Sequence, residues 1–431
     1  MDSKPSSRRE LLKGSVAVSA VAAAATVSKL ATPAQAETIK SYAANSSPMT
    51  SSTEEQIAYG QRSKYVTSVR MHEAERPEAT LARYRDFGLT LHIQAPLQDF
   101  MGTVAPSSIH YFATTKGSLQ PDIDPATHTL TIQGLVDRPL VLTMADLKRF
   151  PSVSRFHFIE CAANTHSPAH KTVQASHGAT SNAEWTGVLL STLLKEAGVK
   201  PNAKWFVAEG AEEIKGADSI PLNKGMDDVI VAYGMNGEPV RPQNGFPLRL
   251  IVPGFEGIFN TKWLRRIDVT ENYQLNMDDF GHLRRDPVAA ALGYQIGVKS
   301  VVTFPSGSQK LPNQGWYEIS GLAWSGQGRV TKVEVSVDGG KSWQVAELKG
   351  TPHPMAHNRF GLMWKWEGGE HVIMSRAYDE VGQVQQTAQE AAKALGVPYT
   401  KGYQPPGNRN TIMAWKIDKT GAVTNGLDAI A

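Results

Sequence analysis

The chain is 431 residues long, room for two domains, because single hydrophobic cores rarely grow past about 250–300 residues. Hydrophobic residues at 41% and charged residues at 20% give a globular composition and exclude a disordered or fibrous one. The formal charge of +3 originates in residues 1–36: without their five basic and two acidic side chains, 39 of each sign remain, which excludes a general nucleic-acid footprint.

Ser7-Arg8-Arg9-Glu10-Leu11-Leu12-Lys13 precedes an alanine-rich apolar run ending at Ala34-Gln35-Ala36. A charged start, a short apolar centre and an A-x-A end make a cleavable leader. The paired arginines and weakly hydrophobic centre favour the twin-arginine exporter over the ordinary secretory route, and both lead to the periplasm. No later stretch reaches the roughly 20 apolar residues of a membrane span. Residues 37–85 are polar and mixed, an extension with a short helix.

Structured sequence is expected from about residue 86. His128–Gln133 alternates as a half-buried strand does. Thr143 caps a short helix over Met144–Lys148. Phe156–Glu160 reads as a strand running into Cys161. Trp185-Thr186-Gly187 is expected to lead a helix whose apolar face holds Leu189, Leu190, Leu193 and Leu194, stopped by Gly198. Val229–Tyr233 and Leu248–Val252 read as buried strands. Without a regular βαβ beat, residues 86–290 make an α+β domain. After a boundary near residues 287–298 the texture changes. Trp316–Ile319, Val333–Val337 and Val372–Met374 are short strands, Asp338-Gly339-Gly340-Lys341 is a hairpin turn, and residues 296–420 read as an immunoglobulin-like β-sandwich. An alanine-rich helix is expected within 384–396.

Cysteine usage narrows the chemistry. Cys161 is the single cysteine, so it has no partner within the chain, and a thiol in an oxidising compartment is either buried and inert or at work. A strand end opening into a loop is a usual place for a site, and a soft thiolate suits a soft or high-valent metal. No C-x-x-C, C-x-x-C-H, G-x-G-x-x-G or H-E-x-x-H occurs. A thiol nucleophile paired with a nearby histidine (His157, His166, His170 or His177) stays open. His166 and His170 have helical spacing, but Pro168 between them speaks against a helix.

Glu160-Cys161-Ala162-Ala163-Asn164 resembles the E-C-x-x-N signature of the sulfite oxidase family of molybdenum enzymes. The resemblance continues through Ser219–Leu222, Val231–Pro239, Asn244-Gly245-Phe246-Pro247-Leu248-Arg249, Val252-Pro253-Gly254 and Lys262-Trp263-Leu264. The C-terminal Val333–Trp343 and Arg376–Asp379 are similar to the family's dimerisation domain. It implies a molybdopterin cofactor with Cys161 as the metal ligand. Arg249 corresponds to a pterin-phosphate contact, a guanidinium fork fitting a phosphate. Lys262 lies in the segment wrapping the cofactor, Asn164 is a cofactor or loop contact, Asn244 is a further cofactor contact, and Trp185 lines the substrate pocket. Plainer roles compete: Arg249 as a salt-bridged strand residue, Trp185 as a core aromatic.

Departures from the pattern bear on substrate. Asn244 replaces the histidine of H-G-F-P. His110–Lys116 lacks the arginine of an R-N-H run. Thr165 and His166 stand where animal sulfite oxidases have arginines, which makes His166 a candidate in the reacting pocket. The active-site D-Y is matched by Asp279-Phe280, with Tyr273 close by. With these guanidinium groups gone, the chain resembles the molybdenum subunits of sulfane dehydrogenases of bacterial thiosulfate oxidation. That implies oxidation of sulfur carried on a protein cysteine, a homodimer within a heterotetramer, and a cytochrome c subunit as acceptor, since the chain has no haem-attachment motif. Oxidation of free sulfite and a non-catalytic structural subunit are the other readings.

Overall fold

The computed structural model describes residues 62–63, 65–72, 92–113, 120–162, 164, 166–212, 217–275, 295–401 and 410–430. The leader, most of the extension, Thr165 and Asp279-Phe280 lie outside the described residues. The chain divides into Met1–Thr67 and Ser68–Ala431. In the first unit the Val66 N–H donates to the Ser63 carbonyl at 3.0 Å in a turn.

The second unit is α+β, and its described strands form four sheets. A small sheet holds β1 (Met71–His72), β2 (His92–Gln94) and β3 (Phe112–Ala113) in that order. A second holds β6 (Ser152–Glu160), β7 (Thr180–Leu189), β10 (Ile230–Met235) and β11 (Glu238–Pro239), ordered β11-β10-β7-β6, with β12 (Arg249–Ile251) also on β10. A third runs β5-β4-β13-β8-β9, built from β4 (Thr129–Gly134), β5 (Leu140–Thr143), β8 (Trp205–Gly210), β9 (Ala217–Pro221) and β13 (Leu264–Thr270). Among the described residues four helices accompany these sheets: α1 (Met144–Leu147), α2 (Val173–His177), α3 (Leu190–Ala197) and α4 (Leu222–Asp227). Thr143 caps α1 as its sequence predicts, and Asp146 completes a capping box.

The expected helix is present but starts at Leu190, and Trp185–Leu189 ahead of it are strand. In β7 Gly187 is flanked by Val153 of β6 and Ala232 of β10, and a Cβ there would lie 2.1 Å from the Val231 carbonyl oxygen. This close approach of three strands outweighs the leucine pattern, which takes hold only at Leu190. Gly198 then ends α3 at φ +70°, donating to the Leu194 and Lys195 carbonyls.

Beyond residue 295 lie β14 (Lys299–Phe304), β15 (Gly315–Trp324), β16 (Val330–Ser336), β17 (Gln344–Lys349), β18 (Asn358–Trp366), β19 (His371–Asp379), β20 (Ala414–Ile417) and β21 (Val423–Asn425). They run β14-β15-β18-β17-β16-β19-β20-β21, with α5 (Ala388–Leu395) between β19 and β20. The sheet folds over on itself: Ser300 of β14 donates to Ser375 of β19 at 2.9 Å. Gly339 and Gly340 take φ of +73° and +91° in the β16–β17 hairpin. One apolar cluster joins Phe158, Ile159 and Trp185 to Val301, Trp324 and Trp415, so residues on either side of the expected boundary share a core.

Five of the six buried histidines among the described residues make the protein sensitive to acid. Burial pushes His110, His166 and His357 down to about 3 and His157 to about 4, and holds His177 well below its ordinary value. Their folded pKa values lie below the unfolded value near 6.5, so their stabilising effect is complete above pH 6.5 and drains away as pH falls towards 3. Near pH 5 each of the first four costs about 2 kcal/mol, a sum comparable with the whole stability of a typical domain. The urea midpoint therefore falls steeply between pH 7.5 and 5; a flat profile would contradict neutral, buried imidazoles.

Candidate active site

The first half of β6 is largely exposed, but His157, Phe158, Ile159 and Glu160 are all buried, so the strand dives into the core as it reaches Cys161. The Cys161 N–H extends the pairing to the Ala179 carbonyl at 3.0 Å, and its own carbonyl accepts from Asn164 N–H at 2.9 Å. The residues flanking the cysteine are locked. Asn164 donates its amide to Glu160 Oε1 at 2.8 Å and accepts from Ala179 N–H at 3.0 Å. Lys299 of β14 donates to Glu160 at 2.6 Å and to the Asn164 carbonyl at 2.8 Å, and Trp324 of β15 donates to Glu160 Oε2 at 2.6 Å. Of the two roles expected of Asn164, cofactor or loop contact, these bonds give the second: both ends of its amide engage the protein and hold the Cys161 loop. Gly257 packs on the same turn, since a Cβ would sit 3.0 Å from the Glu160 carbonyl oxygen and 3.5 Å from Cys161 N.

Half-buried Cys161 faces side chains the sequence reading did not single out. His92 brings Nε2 within 3.5 Å of the sulfur, and the Tyr111 hydroxyl hydrogen-bonds with it. Burial, then the charge of Cys161 and that hydrogen bond, hold Tyr111 well above the ordinary phenol value, so it keeps its proton at neutral pH. Tyr273, weighed as the family's active-site tyrosine, packs edge-on against Trp205 with centroids 5.1 Å apart. Arg70, also unforeseen, reaches the His110 carbonyl at 3.4 Å and lies 4.8 Å over the Phe112 ring.

Beside Tyr111 lie two cations, Arg249 and Lys262, that form no ion pair among the described residues. Arg249 opens β12 opposite Ala232, is 5% exposed, and donates to the Asn244 carbonyl at 2.8 Å. Among the described residues no carboxylate lies within ion-pair distance of it, so the salt-bridged alternative does not hold. Burial lowers Arg249 to about 10; burial and the Arg249 charge lower Lys262 to about 7, with Glu212 opposing. Lys262 donates to the Ala113 carbonyl at 2.5 Å. It packs under Gly245, whose Cβ would meet Lys262 Cα at 3.0 Å with φ at +111°. Trp185 is fully buried, donates to the His157 carbonyl at 3.1 Å, and lies 5.4 Å beneath the Arg249 guanidinium carbon. Expected as a wall of the substrate pocket, it supports the cation instead.

Arg249 Nε, Asn244 Oδ1, His110 Nε2 and Thr261 Oγ1 are buried without a hydrogen-bond partner among the described residues. Such groups are costly unless something polar meets them. Unsatisfied donors and acceptors, two cations that form no ion pair among the described residues and a free thiol fit a pterin bearing a phosphate and a thiophilic metal. Arg249 and Lys262 suit the phosphate, Asn244, His110 and Thr261 the polar ring edge, and Cys161 the metal. His166 sits apart from this cradle: fully buried, it bonds Thr411 Oγ1 at 3.0 Å and faces His177 with centroids 6.1 Å apart. Ser167–His170 is a turn, as Pro168 suggests.

Residues 117–277 match the oxidoreductase molybdopterin binding domain family, and residues 291–398 the Mo-co oxidoreductase dimerisation domain family. The chain is 34% identical to a chain of the sulfane dehydrogenase SoxCD from Paracoccus pantotrophus, with TM-score 0.78, covering 88% of this chain and 95% of that one. It is 35% identical over 316 residues to a nitrate reductase [NAD(P)H] of Hordeum vulgare and to nitrate reductase [NADH] 2 of Phaseolus vulgaris, covering 63% of this chain and 35% of each relative. It thus spans about a third of the length of these curated relatives. Among the described residues no helix is long and apolar enough to cross a membrane.

Proposed function

The chain belongs to the sulfite oxidase family of molybdenum enzymes, and from that premise we propose that it oxidises sulfane sulfur held on the cysteine of a carrier protein. The chain is an oxidoreductase of molybdopterin-binding type. The observation carrying the finer reading is the likeness to a sulfane dehydrogenase over nearly all of that protein's chain. The site agrees with it, since among the described residues a phenol and an imidazole stand at the Cys161 sulfur. A substrate tethered to a protein draws its binding energy from protein–protein contact and does not need arginines at the metal.

When bound, the cofactor supplies the two-electron exchange and the oxygen that sulfur takes up. The protein holds and orients it. Arg249 and Lys262 grip the phosphate, Trp185 backs Arg249, and the Glu160–Lys299–Asn164 lock fixes the loop presenting the Cys161 sulfur. Tyr111 keeps a proton on its oxygen beside that sulfur. Electrons leave to a cytochrome c subunit, the chain acts as a homodimer through its C-terminal domain within a heterotetramer, and the twin-arginine leader delivers it to the periplasm.

Steady-state turnover with cytochrome c as acceptor tests this. The carrier-bound substrate exceeds free sulfite in kcat/KM by about 100-fold, near 2.7 kcal/mol of contact energy. Efficient turnover of free sulfite alone would overturn it. That second reading draws on the nitrate reductases, whose substrate is a small free oxyanion.

A further inference from the structure

Two polar side chains meet the Cys161 sulfur, His92 from β2 and Tyr111 from the residue just ahead of β3. His92 of β2 stands opposite Ala113 of β3. Alternation along the strands therefore puts His92, Ala113 and Tyr111 on one face, and Phe112 with the overlying Arg70 on the other. Neither residue facing the sulfur is free to swing. The Tyr111 N–H donates to Ser181 Oγ of β7 at 3.0 Å, and its carbonyl lies 2.6 Å from His110 Nδ1. β2 is paired on both edges, and Gln174 of α2 pins the arm by donating to the Val69 and Gln94 carbonyls at 3.0 and 3.1 Å.

A thiolate bound to a metal keeps lone pairs that accept hydrogen bonds. Such bonds draw electron density from the sulfur and favour the more electron-rich, reduced metal. They also fix the direction in which the sulfur presents itself. We propose that Tyr111 and His92 are positioning residues that donate to the Cys161 sulfur, orient it towards the molybdenum, raise the metal's reduction potential and slow its loss. The inference rests on Cys161 being the metal ligand and is independent of which sulfur compound is oxidised.

The test uses holoenzyme carrying Tyr111→Phe, His92→Ala or both, with redox titration followed by the Mo(V) electron paramagnetic resonance signal. Each single variant moves the midpoint to more negative potential, and the double variant by about the sum. Molybdenum release to a chelator speeds up by about 10–100-fold, the usual effect of removing an outer-shell partner. His92→Gln, which keeps an N–H donor, restores most of the potential. A packing role alone would not give that rescue. Unchanged midpoints and release rates in folded Tyr111→Phe and His92→Ala would overturn the inference; should Tyr111→Phe not fold, the His92→Ala and His92→Gln pair decides. A Cys161→Ser arm separates the premise. A signal it leaves unaltered refutes the ligand assignment and the inference with it, whereas a signal altered by Cys161→Ser but by neither donor variant refutes the inference alone.

Discussion

Replacing Cys161 with serine lowers turnover by more than about 1000-fold, equivalent to about 4 kcal/mol of transition-state stabilisation. The substitution is nearly isosteric, and the Glu160–Lys299–Asn164 lock that shapes the loop makes no use of the sulfur. Stability should therefore stay close to wild type while activity collapses. Steady-state rates beside a urea melt check this. Near-wild-type turnover would show that the thiol is a bystander, and a parallel collapse of stability would show that it serves packing.

Arg249→Met separates folding from cofactor binding in the opposite sense. Without an anion, the guanidinium is a buried cation with no acid partner among the described residues. Exchanging such a charge for an apolar side chain of similar length stabilises the cofactor-free protein by about 1–4 kcal/mol. The same change removes charge-assisted bonds to the pterin phosphate, worth about 3 kcal/mol together, and weakens cofactor retention by about 100-fold. The paired measurements are the melting temperature of cofactor-free protein and the pterin content of protein purified with its cofactor. A destabilised apoprotein with full pterin content would assign Arg249 to the scaffold.

The strand into Cys161 was legible because an apolar run meets a polar loop, and the hairpin at Gly339-Gly340 because only glycine favours such angles. The close approach of Gly245 and Lys262 was legible through its motif, since Gly245 must be small for Lys262 to lie against it. Trp185 misled: four leucines downstream extend a helical pattern backwards, and only the pairing of β7 on both sides forces the strand. The lock on Glu160 had no local signal, since Lys299 lies 139 residues away along the chain. Tyr111 and His92 were illegible for the same reason. Each sits in or beside a strand of two or three residues whose pairing, not its own sequence, decides what it faces.

All of this chemistry hangs on where one sulfur atom points. Molybdenum K-edge absorption spectroscopy on wild-type and Cys161→Ser holoenzyme reads that directly. The account predicts one fewer sulfur neighbour at the metal in the variant, with an oxygen in its place. An identical sulfur shell in both proteins would contradict it.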